Sequence, residues 1–253
     1  MNYGKRGGFL AAVLAVCALA VLVVGGTGIA KPVKSVVGEI ETEFDGGFSP
    51  KALPKNKPTP ITFWLWGKLR QIEGKHPPAV REFKLEGDKN VQIDVKGLPT
   101  CKSGQLQSRT TNAARKACGP AIVGTGTTEA EVQFPEQPPI DVKSELLAFN
   151  GGVRGGVTTL YIHAFLNAPV TAAIVTTVKI KNIHKGRYGT ESIATIPKIA
   201  GGSGSATYFK LKFEKGILLA KCPDGHLNAR GTAVFEDGTR VSAGVVRPCT
   251  SKG

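Results

Sequence analysis

Apolar and polar residues alternate through most of the chain after Lys31. In VQIDVKG, Val91, Ile93 and Val95 are separated by polar residues, and TYFKLKFEKG repeats the pattern. Alternation with period two is typical of a β-strand that is buried on one face only. It predicts strands at 33–44, 60–72, 80–86, 91–96, 121–133, 142–149, 157–167, 172–183, 188–198 and 206–214, and a hairpin over 230–247.

The pattern predicts an all-β fold of about eleven to twelve strands. The closing hairpin carries Asp237-Gly238 between its strands, which is a strong turn signal. One short helix is predicted over 108–116, ending before Gly119. Many short strands with glycine and proline turns indicate an antiparallel β-sandwich or a large, partly open barrel. Because no long linker or shift in composition divides residues 31–253, we expect them to form a single domain.

The first thirty residues have the organisation of an export signal. Lys5 and Arg6 precede an apolar run over 9–24, and Gly28 and Ala30 are the small residues of a cleavage site. The run is shorter than the roughly 20 residues that a membrane span needs. We therefore predict a signal peptide at 1–30, cleaved after Ala30, with an uncleaved anchor as the alternative. The mature protein is expected to be extracellular or associated with the cell envelope.

Cleavage would remove Cys17 and leave Cys101, Cys118, Cys222 and Cys249. An even number of cysteines in an oxidising compartment favours disulfide bonds. The nearest-neighbour pairing is Cys101 with Cys118 and Cys222 with Cys249, but four cysteines permit three pairings. A zinc site or a thioredoxin-like motif is disfavoured because no C-x-x-C spacing occurs. No metal or cofactor is predicted.

The chain is strongly basic, with 33 basic against 19 acidic residues and a net charge of +14. The predicted signal carries two of the basic residues and no acidic one, which leaves 31 against 19, or +12. This surplus favours anionic partners such as envelope polymers or lipid headgroups, and a merely solvated surface is the plainer interpretation. Specific nucleic-acid binding is disfavoured because no helix-turn-helix or zinc-finger spacing is present.

GEIETEFDGG contains the most suggestive carboxylates. On one strand, Glu39, Glu41, Glu43 and Asp45 would share a face. The stretch resembles the Glu-Ile-Asp-x-Glu signature of laminarinase-type, jelly-roll glycoside hydrolases, although Glu41 replaces its central Asp. That resemblance implies Glu39 as nucleophile and Glu43 as acid/base. A solvated acidic strand face is the plainer interpretation, and weak calcium binding is a third one.

Two other features allow a functional and a structural interpretation. His163 stands among apolar neighbours on a strand and is expected to be a hydrogen-bonded packing residue. Trp64 and Trp66, beside Lys68 and Arg70, can form an aromatic and cationic binding stripe or the inner face of a two-sided sheet. No catalytic residue is predicted from either feature.

The chain as a whole also carries a resemblance. It presents FSPKALPKNKPTPITFWLWGKL, GLPTCKSGQLQ, ACGPAIVGTG, LLAFNGG, IPKIAGG and DGTRVSAGVVRPC in that order. This order resembles a group of exported, disulfide-containing all-β proteins of actinobacteria of the Solirubrobacter type, over nearly the whole mature chain. The group has no assigned activity, so the resemblance implies a fold and export but no catalytic residues.

The sequence therefore favours a non-enzymatic binding or structural protein of the envelope or exterior, with a basic surface. The alternatives are a carbohydrate-active hydrolase that uses Glu39 and Glu43, and a carrier whose interior holds a lipid. A deep apolar cavity, a groove lined by carboxylates and a closed, filled core would each favour a different one of these hypotheses.

Overall fold

The computed structural model describes residues 31–252, so the predicted signal peptide, its cleavage site and Cys17 lie outside the described residues. The described residues contain fifteen β-strands and one α-helix. The strands are β1 (Val33–Val37), β2 (Ile40–Ser49), β3 (Ala52–Pro54), β4 (Thr59–Gln71), β5 (Val80–Asp88), β6 (Val91–Ile93), β7 (Ile122–Val132), β8 (Ile140–Arg154), β9 (Val157–Leu166), β10 (Ala172–Lys185), β11 (Tyr188–Thr195), β12 (Gly204–Ala220), β13 (His226–Phe235), β14 (Arg240–Pro248) and β15 (Thr250–Lys252), and the helix is α1 (Thr111–Cys118).

The predicted all-β fold is confirmed. Twelve strands form one antiparallel sheet in the order β1-β2-β4-β12-β7-β8-β9-β10-β11-β5-β13-β14, and β6 adds to one end of β12. The last strand of this order, β14, returns to lie beside β1 and β2. The sheet is therefore nearly closed on itself, which corresponds to the large, partly open barrel of the prediction.

Alternation along each strand decides which side chains face the interior. On β4, Ile61, Leu65 and Leu69 are buried, while Lys68 and Arg70 are exposed on the outer face. The neighbouring strand β12 is paired so that its apolar side chains face the same interior, with Leu65 opposite Leu211. Burial of the inner apolar faces is the main force that holds such a sheet closed.

The first predicted strand, 33–44, is wrong in one respect. It is divided by a turn at Gly38 and Glu39 into the hairpin of β1 and β2. Gly38 has a φ of +57°, a left-handed conformation that glycine adopts at no steric cost. The alternation of polar and apolar residues runs on through this turn, which is why the sequence reads as a single strand.

The gap between the two edges of the sheet is bridged by a side chain. No strand pairing joins β14 to β1 or β2 within residues 31–252. Near the end of β14, buried Arg247 forms an ion pair with buried Asp45 of β2. Its Nε also donates to the carbonyl oxygen of Gly46, at 2.6 Å. Arg247 thus supplies the hydrogen bond that a neighbouring strand would otherwise make.

The connectors between strands lie at two ends of the sheet, and one end is tied by both disulfides. The S–S bonds join Cys101 to Cys118, at 2.00 Å, and Cys222 to Cys249, at 1.97 Å, which is the nearest-neighbour pairing. The first bond fixes α1 against the outer faces of β8 and β9. The predicted helix at 108–116 is present but begins later, at Thr111, and ends at Cys118. Its start is fixed by Thr110, whose side-chain oxygen accepts a hydrogen bond from the backbone N–H of Ala113.

A ladder of charges crosses the outer face of four strands. Glu191 on β11 lies between Lys84 on β5, at 2.6 Å, and Lys181 on β10, at 2.9 Å. Glu86 continues the ladder from Lys84 to Arg230 on β13. Hydrogen bonds from Lys84 and Lys181 lower the pKa of Glu191 from its ordinary value of 4.5 to about 2.

We predict that the free energy of unfolding depends on Glu191 between pH 4.5 and 2. Because its pKa is lower in the folded chain than in the unfolded chain, its stabilising effect is present above pH 4.5 and is lost as the pH falls towards 2. Glu191→Gln should lower the free energy of unfolding at pH 7 by about 1–3 kcal/mol, measured with urea. It should also flatten the acid side of the profile. Glu236→Gln, at an exposed turn residue, serves as the control, and equal effects of the two variants would contradict the prediction.

A second prediction concerns the disulfide that holds α1. Its loop spans a sequence separation of 17 residues. The double variant Cys101→Ala, Cys118→Ala should lower the free energy of unfolding by about 3 kcal/mol, since the unfolded chain regains the entropy of that loop. Urea unfolding of the variant and of the oxidised parent gives the difference. An unchanged midpoint, or free thiols in the parent protein, would show that the bond is absent.

Candidate functional site

An apolar cavity of about 270 Å³ occupies the interior of the sheet. It is larger than the roughly 150 Å³ apolar cavity that remains dry and admits benzene in an engineered protein. Nearly all strands of the sheet contribute inward side chains to it. The lining includes Phe44, Leu65, Phe83, Leu85, Leu146, Leu160, Ile162, Ala164, Ile174, Val178, Ala194, Leu211 and Ile217.

The number of strands explains why the interior is not full. A closed sheet of about eight strands is just filled by its own side chains, and wider sheets leave room for ligand or water. Here phenylalanine rings fill part of the space, with Phe83 against Phe209 at 5.2 Å and against Phe44 at 6.0 Å between ring centres. The ring of Phe209 lies over Gly67, where a Cβ atom would come within 2.6 Å of it.

The end of the sheet that carries the disulfides is sealed, and we call it the closed end. A cluster of buried side chains, among them Phe48, Leu53 and Leu227, packs around the Cys222–Cys249 bond. The short strands β3 and β15 pair across the same end. A small cavity of about 100 Å³ is enclosed between this cluster and the main cavity.

A buried carboxylate holds three connectors of the closed end together. Asp88, which is fully buried, accepts hydrogen bonds from both the backbone and the side chain of Asn90 and of Asn228. It also accepts from Arg187 Nε at 2.7 Å, and Arg187 in turn binds Asp224. Because every one of these bonds would be broken by opening, this end is a poor route to the cavity.

The opposite end, which we call the mouth, is closed only by side chains from connectors. A second cavity of about 250 Å³ lies there between the 196–203 connector, the start of β5 and Glu236. Val80, Ile196, Ile199 and Ala206 line both this cavity and the main one, so they form the partition between the two. A ligand in the main cavity would have to pass these side chains.

Ile199 is the centre of that partition. It is buried, and its side chain rests against Gly204, where a Cβ atom would come within 2.5 Å of it. The next three residues, Ala200, Gly201 and Gly202, all have positive φ angles. These left-handed angles bend the connector sharply just after Ile199. Such a conformation is costly for alanine but not for glycine, which is why two of the three residues are glycines.

Surface charge is divided unequally between the two ends. The connectors at the mouth carry the acidic residues Glu39, Glu73, Glu136, Glu236 and Asp237 and the basic residues Lys75 and Lys198, and the strand ends there add exposed Asp141, Arg70, Arg81 and Arg240. The connectors and strand ends at the closed end carry the exposed basic residues Lys55, Lys57, Lys89, Lys96, Lys102, Arg154, Lys185 and Lys252. Only Asp94 and Asp224 are acidic in the connectors of that end. The surplus of positive charge is therefore concentrated where the sheet is sealed.

The acidic stretch of the sequence does not line the cavity as a carboxylate pair. Glu39 lies in the β1–β2 turn, and its Oε2 accepts from Gln71 at 2.7 Å. Glu43 lies on β2 and binds Lys34 at 2.7 Å. Between them, Glu41 accepts both hydrogen bonds of Arg70, which lowers the pKa of Glu41. Glu39, Glu41 and Glu43 thus each have their own polar partner on the outer face, and the fourth carboxylate, Asp45, is buried against Arg247.

The structure places His163 and the two tryptophans on outer faces. His163 is fully buried beneath the 101–121 segment, and its Nε2–H donates to the carbonyl of Arg109 at 2.9 Å. Burial lowers its pKa, and Nδ1 has no partner among the described residues, so the ring is a neutral packing group. Trp64 and Trp66 are half-buried on the outside of β4, and Trp64 lies across Gly47. They therefore belong to the outer wall and do not line the interior.

Within residues 31–252, no three His, Cys, Asp or Glu residues lie together in a group that could hold a metal ion. No helix in this part of the chain has the length and the apolar character needed to cross a membrane.

The cavity itself could not be located from the sequence, because it depends on closure of the sheet. One signal was available in retrospect. Small residues, among them Gly67, Ala164, Ala194 and Ala206, stand at inward positions that the alternation reserves for large apolar side chains. Small residues at such positions leave space in a core. They also occur where a ring on a neighbouring strand fills that space, as Phe209 does over Gly67, so the signal alone does not locate a cavity.

Comparison of the chain with protein-family models, with curated proteins and with solved structures gave no match.

Proposed function

We propose that this protein is an exported carrier that binds an apolar, lipid-like ligand inside its sheet. The observation that carries the proposal is the cavity of about 270 Å³, which is bounded by apolar side chains from nearly every strand. Binding sites for small molecules are concave, mostly apolar and preformed, and the mouth of a β-barrel is a frequent place for them. From the sequence alone, the carrier is an alternative to the favoured binding or structural protein with a basic surface, and the cavity is what supports it here.

The polarity of the two cavities indicates the class of ligand. The inner cavity offers apolar contacts, whereas the cavity at the mouth is flanked by Lys198 and Glu236 as well as by apolar side chains. An apolar chain buried inside gains about 25 cal/mol for each Å² removed from water. A polar group at the end of that chain would remain near Lys198 and solvent. We therefore expect a single-chain amphiphile with its tail inside and its polar end at the mouth.

Export is supported by two independent features. Lys5, Arg6 and the apolar run at 9–24 have the organisation of a secretory signal. The two disulfides of the mature chain are typical of proteins that fold in an oxidising compartment. No catalytic role is proposed for Glu39 or Glu43, since each is bound to its own polar partner, Gln71 or Lys34.

Filling the cavity should abolish ligand binding without disturbing the fold. Ala194 on β11 lines the cavity, and the next residue, Thr195, is exposed on the outer face. Ala194→Phe should weaken binding of an apolar fluorescent probe such as N-phenylnaphthylamine by at least about tenfold, a change of about 1.4 kcal/mol. Thr195→Phe adds the same ring outside the sheet and should leave the affinity unchanged. Urea unfolding of both variants shows whether each retains the fold.

Native mass spectrometry of the secreted protein provides a second readout. The parent protein is expected to carry added mass that is removed by organic extraction, and Ala194→Phe is expected to carry little or none. The proposal would be overturned if the parent shows only the bare polypeptide mass and does not bind the probe. It would also be overturned if both variants bind the probe as the parent does.

A further inference from the structure

The distribution of charge over the molecule is uneven in a way that the cavity does not explain. Along the wall of the sheet, many basic and acidic side chains are paired across strands, as in the ladder of Lys84, Glu86 and Glu191, while Lys68, Lys179 and Lys210 form no ion pair with a described carboxylate. At the mouth, acidic and basic residues are nearly balanced in number. At the closed end, basic residues stand in nearly every connector, and only Asp94 and Asp224 oppose them.

Most basic side chains of the closed end have no acidic partner. Arg187 is the exception, since it is bound by Asp88 and Asp224. In contrast, no ion pair is formed by Lys55, Lys57 or Lys185 with any carboxylate of the described chain, although all three are exposed. Unpaired like charges repel one another, so concentrating them at one end has a cost unless an anionic surface neutralises them.

We propose that the closed end docks onto the anionic headgroups of a lipid bilayer. The basic residues lie on separate segments, which include 55–57, the 94–102 connector and the ends of β8 and β10, so they are spread over the whole end. A bilayer presents negative charge over a flat area of this kind, and each Lys or Arg near it contributes to attraction. A polymer thread is instead bound by a positively charged groove that follows its backbone. The spread of these charges therefore favours the bilayer.

Docking at this end sets the direction in which the mouth points. The mouth lies at the opposite ends of the strands, so a docked molecule would hold Ile199 and its connector away from the bilayer, in solvent. This consequence rests on the proposed function. It means that ligand is exchanged with a partner on the aqueous side and is not drawn directly from the bilayer below. The acidic residues at the mouth fit this orientation, because they would be repelled by anionic headgroups.

Co-sedimentation with vesicles tests the docking surface. The mature parent protein should bind vesicles that contain phosphatidylglycerol at low salt, lose that binding as salt rises, and not bind vesicles of phosphatidylcholine alone. The triple variant Lys55→Glu, Lys57→Glu, Lys185→Glu should bind at least about tenfold more weakly. The control Lys68→Glu, Lys179→Glu, Lys210→Glu makes the same change in net charge on the wall, at exposed residues, and should bind within about twofold of the parent.

Several results would overturn the proposal. It is wrong if the wall variant loses as much affinity as the closed-end variant, since net charge alone would then account for binding. It is also wrong if the parent binds both vesicle types equally, binds neither, or binds only purified anionic wall polymer. Ala194→Phe separates this proposal from the carrier function, because it should bind vesicles like the parent. A closed-end variant that binds the apolar probe but not vesicles would satisfy both proposals.

Discussion

The circumference of a nearly closed twelve-strand sheet is the constraint on which the rest of this structure depends. Such a sheet encloses more volume than its inward side chains can fill, even with several phenylalanine rings pointing inward. The inner faces are apolar, so a water molecule would form few hydrogen bonds there. If the cavity stays empty, the side chains that line it lack dispersion contacts on one side. An apolar ligand needs no hydrogen bonds from the lining and restores the missing dispersion contacts. This is the physical basis of the proposed carrier function.

The two ends of the sheet differ in how they are held. At the closed end, two disulfides and the hydrogen bonds to Asp88 tie separate connectors together, and the contact of Arg247 with Asp45 and Gly46 ties β14 to β2. At the mouth, the partition consists of side chains such as Ile199, carried by a glycine-containing connector. Regions that open at low free energy have few buried contacts and little covalent restraint. The mouth has these properties, and the closed end does not.

Local patterns in the sequence predicted the elements well, since alternation depends only on which face of a strand is buried. The strand 60–72, the hairpin over 230–247 and the short helix before Gly119 all follow from such patterns, and each is present. The turn at Gly38 and Glu39 was missed because the polar and apolar alternation continues through it. The extension of β12 to Ala220 was also missed, since Gly216 and Lys215 interrupt its pattern.

Properties that arise from strand order could not be predicted. The pairing of β5 with β13 and of β12 with β4 and β7 joins segments far apart in the chain, and no local signal fixes it. Closure, the cavity and the concentration of charge at one end all follow from that order. The basic surplus was visible in the composition, but its position was not. Likewise, Glu39 and Glu43 resemble a catalytic motif in the sequence, but their partners Gln71 and Lys34 lie on other strands and could not be predicted from it.

Diffraction from crystals of the mature protein under xenon pressure would test the central claim most directly. Xenon enters apolar cavities that water does not occupy. We predict xenon density, or density for a retained amphiphile, inside the sheet among Phe44, Phe83 and Ala194. An interior that is filled by its own side chains, with neither xenon nor ligand density between the strands, would contradict the claim that this sheet is built around a binding cavity.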